Sequence, residues 1–447
     1  MSHPPLFCYP RGGIPWKRTR RVGLRPENLF GLRRPSERRM APDTALQPVV
    51  NVLFCNHLAS ERLVAGAEFV LLTIAGKVDR HRFKPLLLSN REGRVNILAR
   101  AAGIETHLLP FDLFGGFLFP GPKTGRLLAR FAASQEEALR ELASLMEDQK
   151  IGLVVANSIV NVTPLLAAQR AGIPAVWLIH EILHPFPCIA NPLRRALATV
   201  LFPLRNLLRR GSEGLESLSS LADRIVVLSE RAREELAPSR ELQERMVTVP
   251  PPLRPEIFAA ASQEEPRFPG EEEELVVAYL GVLSRHKGTQ DFLSAAALVA
   301  RETRRVRFIV AGGAMDPRYE ASLRKRVRRL RLENLVTFTG FLEDPTPVYR
   351  QAHVVCLVSL YEEPFGMVVT EAMAFGKTVV AYETGAVREI LQEGETGFIV
   401  PKGDPGALAR RILALAKERG VLRRIGANAS KSSLARYNPS YYVQRIE

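Results

Sequence analysis

Short apolar runs alternate with longer amphipathic stretches along most of this chain. Runs at residues 49–54, 83–88, 151–156, 175–179 and 222–229 each read as a buried strand. Between them lie segments with apolar positions at helical spacing, such as 69–77, 134–148 and 163–171. A second series follows at residues 275–280, 306–313, 336–342, 354–360, 378–381 and 397–400, with helices expected over 289–301, 318–331 and 405–419. Continuous apolar strands joined by helices predict parallel sheets covered on both faces. The stiff passage Val247-Thr-Val-Pro-Pro-Pro-Leu253 separates the series, because proline cannot donate to a sheet ladder. The expected division is an N-terminal domain over 49–250 and a C-terminal domain over 251–447.

Residues 1–48 are rich in Pro, Gly and Arg, lack either period and are expected to be disordered. Two readings stand for this extension: a basic arm, or a false start with Met40 as the true first residue. The net charge of +15 is uneven, since residues 1–39 hold ten Lys/Arg against two Glu and the rest carries +7. That remainder suits an acidic ligand or an anionic surface and does not by itself call for nucleic acid. The four cysteines are widely spaced and read as free thiols of a reducing compartment. No apolar run approaches the ~20 residues of a membrane span. Residues 190–212 place Leu193, Leu197, Val200, Leu201, Leu204 and Leu208 beside five arginines. This segment reads either as a basic amphipathic helix on an anionic membrane or as a helix packed on its own domain.

The chemistry concentrates at the ends of the expected strands, where open parallel sheets bind ligands. The stretch Ser359-Leu-Tyr-Glu-Glu-Pro-Phe-Gly-Met-Val-Val-Thr-Glu371 reads as strand, loop and helix, with Pro364 in the helix's first turn. It brings two carboxylates, Glu363 and Glu371, to a helix N-terminus whose N–H groups suit phosphate. Lys287, in Gly281-Val-Leu-Ser-Arg-His-Lys-Gly288, is a second phosphate-compatible charge at a strand–helix junction. His180-Glu181 closes the strand at 175–179.

These segments resemble retaining glycosyltransferases of family 4 (glycosyltransferase group 1). The Glu363–Glu371 spacing and wording carry the likeness, supported by the Lys287 loop and the His180-Glu181 pair. The resemblance runs from about residue 50 to 440 and implies the α/β GT-B fold, two facing Rossmann-like doubly wound domains with a cleft between them. It implies a nucleotide-diphosphate sugar as co-substrate on the second domain and a glycan, glycolipid or small-molecule acceptor on the first. Glu363 would contact the donor sugar, Glu371 the ribose hydroxyls, and the backbone N–H groups of Phe365, Gly366, Met367 and Val368 the sugar and diphosphate. Lys287 would neutralise the leaving diphosphate beside Gly281, and His180 would lie near the transferred sugar. Phe341 or Leu342 would read the base by backbone contact. Gly66 would belong to a loop facing the donor phosphate and acceptor, near Glu181. Val282 stands where the family has arginine, which makes Arg285 the candidate replacement; Ala65 and Ala386 stand where it has glycine. The family's C-terminal helix returns to the first domain; Tyr437 to Glu447 is where that return would begin, and the chain stops early for it.

The implied activity is sugar transfer to a hydroxyl with retention of configuration, in glycan or glycolipid biosynthesis. No Asp-x-Asp pair is present, and neither metal nor cofactor is expected. The expected location is the cytoplasm, with contact to an anionic membrane only on the first of the two readings of 190–212, and no nucleic-acid partner. The alternatives are a non-catalytic nucleotide-sugar-binding paralogue and a nucleotide-sugar epimerase on the same scaffold.

Overall fold

The computed structural model describes residues 48–58, 60–61, 64–115, 121–182, 214–237, 239–270, 272–314 and 316–447. The extension 1–47, the whole basic segment 190–212, and Cys8 and Cys188 lie outside this set; only Pro48 of the first 48 residues is described.

Two parallel sheets organise the molecule. The first contains β1 (Val50–Cys55), β2 (Phe83–Ser89), β3 (Glu105–Leu108), β4 (Ile151–Asn157), β5 (Ala175–Ile179), β6 (Arg224–Val227) and β7 (Met246–Thr248), in the order β3-β2-β1-β4-β5-β6-β7. The second contains β8 (Leu275–Leu280), β9 (Val306–Ala311), β10 (Val336–Gly340), β11 (Val354–Leu357), β12 (Thr378–Tyr382) and β13 (Gly397–Val400), in the order β10-β9-β8-β11-β12-β13. All pairings within both sheets are parallel.

Strand alternation distributes the apolar side chains to both faces. Leu53 and Cys55 enter one core of the first lobe, while Val52 and Phe54 enter the other. In β8, Val277 and Tyr279 face one core and Ala278 and Leu280 the opposite one. Both faces are therefore covered by helices, as continuous apolar strands require. Cys55 and Cys356 are buried free thiols, and burial pushes both well above the usual thiol range.

In each sheet the chain starts at the centre, builds outward to one side, and returns to build the other. The strand order therefore reverses between β1 and β4, and again between β8 and β11. A crevice opens outside the carboxyl ends of the strands at such a reversal. The loops after β1 and β4 belong to one crevice, and those after β8 and β11 to the other.

Several sequence expectations change at element boundaries. The run at 222–229 is not the last strand of its sheet: it forms β6, and Met246–Thr248 adds an edge strand, β7, inside the passage expected to be only stiff linker. The run at 354–360 stops pairing at Leu357. The helix after it is Met367–Ala374, so Pro364 precedes it instead of occupying its first turn. The segment around Gly66 is not a loop: the helix Gly66–Lys77 begins there, with Ala65 as its N-cap.

The chain's end makes in full the return that residues 437–447 were expected only to begin. The helix Pro439–Ile446 crosses to the first lobe and packs on Gly66–Lys77. Tyr442 and Val443 are buried with Val70, Leu71 and Ile74. The Asp79 backbone N–H donates to the Glu447 side chain at 2.8 Å, and Arg82 pairs with it at 3.0 Å. An eight-residue helix is long enough because Tyr442 and Val443 anchor it, with Pro439 buried at its start. Elsewhere on the seam, Ser229 Oγ donates to the Pro364 carbonyl at 2.8 Å, and the N–H groups of Glu230 and Arg231 donate to Glu389. Truncating Tyr442 to alanine should cost about 3 kcal/mol, typical of an emptied aromatic site. A thermal melt of the variant, which should fall by several degrees, checks this.

Candidate functional site

On the second lobe the two central loops are held in contact by their backbones. Gly288 has φ +71° and caps the helix Thr289–Glu302. A Cβ added there would lie 1.8 Å from the Val358 carbonyl oxygen, so only glycine allows this approach. The Leu360 N–H donates to the His286 carbonyl at 2.8 Å, and the His286 and Tyr361 rings stack at 5.3 Å. Gly288→Ala should lower stability by more than about 1 kcal/mol, because it combines left-handed strain with a backbone clash. Its melting temperature measures this.

That contact brings Lys287 to Glu363. Lys287 Nζ lies 2.6 Å from Glu363 Oε1; the lysine is half-buried and the glutamate buried. The Glu363 main chain is fixed from behind, where the Ala386 N–H donates to its carbonyl at 3.2 Å. Gly385, with φ +49°, approaches the same carbonyl so closely that a Cβ would sit 1.8 Å from it. The common turn thus holds Glu363 whether or not residue 386 is glycine. Gly366, at φ +110°, is the N-cap of the helix Met367–Ala374. A Cβ on Gly66 would lie 3.1 Å from Met367 Sδ, so two helix N-termini from opposite lobes meet here. Phe365 turns its ring into the core against Tyr437, leaving its backbone as its available contact. Val368 is half-buried at the start of the same helix.

Glu371 lies deeper than its neighbours. Arg254 Nε donates to its Oε1 at 2.6 Å, and Arg254 Nη2 to its Oε2 at 2.9 Å. The Tyr349 hydroxyl donates to Oε2 at 2.8 Å. Burial, then the adjacent carboxylate, push Tyr349 well above the usual phenol range and keep it a donor. Nothing in the sequence pattern marked Arg254 or Tyr349, which lie far from Glu371 along the chain.

The remaining second-lobe candidates occupy the rim. Gly281, at φ +146°, is in close contact with Gly312, where a Cβ would come within 1.9 Å of the Gly281 oxygen. Val282 is exposed. Arg285 is held over the Tyr319 ring at 5.6 Å. Phe341 is exposed on the loop after β10, and Leu342 is half-buried against the core.

The first lobe contributes a cluster of buried and half-buried polar groups at the ends of β1, β4 and β5. Asn157 Oδ1 lies 2.6 Å from His180 Nε2, and Asn157 Nδ2 lies 3.5 Å from His57 Nδ1. His57 Nε2 is 3.9 Å from Glu68 Oε1. Glu68 caps its own helix through the Ala65 N–H at 2.6 Å. Glu181 accepts from the Ser158 hydroxyl and from the N–H groups of Ile159 and His180, so it braces the loop that presents His180. The sequence reading singled out His180 and Glu181 and set Asn157 at a strand end, but missed His57 and the pairing of Glu68. The signal for His57 was its position two residues beyond an apolar strand.

Burial governs the charges in this cluster. It lowers His180 to about 3, helped by His57, and lowers His57 itself to about 4. It raises Glu68 to about 7 and Glu181 above its ordinary value. Both histidines are therefore neutral at neutral pH. As pH falls through the unfolded value of 6.5, the unfolded chain binds a proton that folded His180 refuses, and stability is lost. Glu68 acts in the opposite sense: its stabilisation is full below the unfolded value of 4.5 and is lost as pH rises through about 7. His180→Gln should therefore lose up to about 2 kcal/mol less than the wild type between about pH 7 and about pH 5. Urea denaturation at the two pH values reads the difference.

Among the described residues, no group of three or more His, Cys, Asp or Glu side chains is placed to share a metal ion. No described helix is long and apolar enough to cross a membrane.

Comparison with known proteins fits this geometry. Residues 262–432 match the family model for Glycosyl transferases group 1. The second lobe is a glycosyl transferases group 1 domain. It contains Lys287, Glu363 and Glu371. Alpha-D-kanosaminyltransferase of Streptomyces kanamyceticus is 26% identical over 291 residues, 62% of this chain and 70% of that protein. D-inositol 3-phosphate glycosyltransferase of Kribbella flavida is 30% identical over 281 residues, 59% of this chain and 62% of that protein. The chain thus spans less than two thirds of the Kribbella protein's length. Among solved structures, Anabaena Alr3699/HepE in complex with UDP and glucose superposes with a TM-score of 0.66 at 22% identity, over 88% of this chain and 97% of that one. Together with the two parallel sheets, this establishes the GT-B fold around the group 1 domain.

Proposed function

We propose that this chain is a retaining glycosyltransferase of family 4. It moves a sugar from a nucleoside-diphosphate sugar to a hydroxyl of a glycan, glycolipid or small polyol, without a metal ion. The observation that carries the reading is the half-exposed Lys287 held 2.6 Å from Glu363, beside the helix that starts at Met367 and faces the first lobe. Lys287 supplies a positive charge where a diphosphate leaves, and the helix N-terminus adds oriented N–H groups. Glu363 is released from the lysine as the diphosphate arrives and accepts hydroxyls of the transferred sugar. Neutral His180 approaches the same sugar from the first lobe.

The acceptor oxygen bonds to the anomeric carbon on the face from which the diphosphate departs. The bond from that carbon to the phosphate oxygen breaks, and the acceptor's proton passes to the departing diphosphate. Configuration is retained without a protein nucleophile. The naming of a UDP- and glucose-bound protein among the structural neighbours makes uridine the first base to test, and the inositol phosphate enzymes among the relatives make a polyol the first acceptor. This reading assigns the chain to cytoplasmic glycan or glycolipid synthesis.

Thermal melts with UDP, GDP and ADP in EDTA test the donor site, since a ligand bound only by the folded state raises the midpoint. One nucleotide should stabilise the wild type. Release of that nucleotide from its sugar conjugate should persist in EDTA and fall about a hundredfold or more in Lys287→Ala. The anomeric configuration of the product, read by NMR, decides retention. Binding without release would mark a non-catalytic protein, and a changed sugar still joined to its nucleotide would mark an epimerase. No stabilisation by any nucleotide would overturn the donor site itself.

A further inference from the structure

We propose that Asn157 is a positioning residue that fixes which nitrogen of His180 carries the proton, so that His180 offers a lone pair and takes only a hydrogen-bond donor, such as a hydroxyl. The proposal rests on the function proposed above for what meets His180. The place of the proton follows from the contacts of Asn157 alone.

The side-chain amide of Asn157 has a donating end and an accepting end, and its neighbours determine which is which. Asn157 is the last residue of β4 and is fully buried. Its Nδ2 donates to the Ala67 carbonyl at 3.3 Å. Turned over, the amide would set oxygen against oxygen at that place. The orientation is therefore fixed, and Oδ1 faces His180 Nε2 at 2.6 Å. An amide oxygen only accepts, so the hydrogen between them belongs to His180 Nε2.

The same amide acts on the second histidine. Nδ2 has another hydrogen, and His57 Nδ1 lies 3.5 Å from it. A donor there favours a lone pair on His57 Nδ1. The His57 hydrogen is then on Nε2, which is 3.9 Å from Glu68 Oε1. That oxygen is buried and has no hydrogen-bond partner among the described residues. One side chain thus sets both rings in the same tautomer.

The consequence for a ligand follows from the ring's two nitrogens. A neutral imidazole has one donor and one acceptor. Burial, helped by His57, keeps His180 neutral at neutral pH. Its Nε2 hydrogen is engaged by Asn157, so Nδ1 keeps the lone pair. Nδ1 has no partner among the described residues, and it is not one of the buried unpartnered atoms as Glu68 Oε1 is. His180 as a whole is half-buried. A hydroxyl can donate to Nδ1. A phosphate oxygen without a hydrogen would meet it lone pair to lone pair. His180 therefore selects a hydroxyl and leaves the diphosphate to Lys287 on the other lobe. A role for Asn157 in packing alone would place no such demand on the proton.

The test is NMR of the ring nitrogens in the full chain, prepared with isotope-labelled histidine at neutral pH. Signals are assigned by their loss in His180→Gln and His57→Gln. His180 should be neutral, with its hydrogen on Nε2 and Nδ1 bare. A hydrogen on Nδ1, or on both nitrogens, would overturn the proposal. Asn157→Leu keeps the size of the side chain and removes its donor and acceptor. In that variant His180 should lose its single tautomer and show two forms in exchange; an unchanged ring would remove Asn157 from the role. The wild-type spectrum stands even if the variant fails to fold. Glucose conjugates of UDP, GDP and ADP are then added to the wild type. The conjugate that binds should shift the Nδ1 signal of His180 and leave the hydrogen on Nε2, and its free nucleotide should not. Binding without a shift at Nδ1 would overturn the hydroxyl contact. Binding of no nucleotide would overturn the donor-site reading, while the unliganded spectrum still decides the tautomer.

Discussion

Contact between the loops that leave β8 and β11 is the constraint on which the site depends. It exists because Gly288 has no Cβ to strike the Val358 carbonyl. Two consequences follow from that one approach. The helix Thr289–Glu302 starts at the crevice and not beside it, and Lys287 comes within reach of Glu363, 76 residues further along the chain. The same device recurs behind Glu363, where Gly385 lets a third loop close on its main chain. A rigid backbone framework thus holds the lysine and glutamate in place, and their charges need not hold the framework.

The first lobe solves a different problem. Its strand ends carry His57, His180, Glu68 and Glu181 in a space too dry for ordinary ionisation. Burial leaves both histidines neutral and lifts Glu68 to about 7. Asn157 sits between the histidines and satisfies one nitrogen of His180. The result is a polar wall with neutral histidines facing a strongly charged one. A sugar, which is rich in hydroxyls and has no charge, suits the first wall; a diphosphate suits the second.

The two walls are held at a defined separation by the chain's own path. The linker after β7 passes under the cleft, and the last helix returns to bury Tyr442 and Val443 in the first lobe. Arg254 lies on that linker, with one face on Phe69 and its edge on Glu371. The buried ion pair with Glu371 and the seam between lobes therefore share a residue.

Much of this was written locally. The apolar runs placed most strands within a residue or two, and the glycines, Lys287, Glu363 and Glu371 announced the second-lobe site through short spacings. Such features are legible because strand period and turn chemistry act over a few residues. Edge strand β7 was not legible, since three residues carry too little pattern to outweigh the prolines that follow. Arg285 could not be judged either, because the ring that holds it lies on a separate helix. Arg254, Tyr349 and His57 became partners of the site only when crossovers brought distant segments together. The sequence by itself determined two doubly wound lobes and the carboxylate–lysine chemistry of one of them. Tertiary structure alone decided how Glu371 is paired and which histidines stay neutral, because burial and long-range contacts set both.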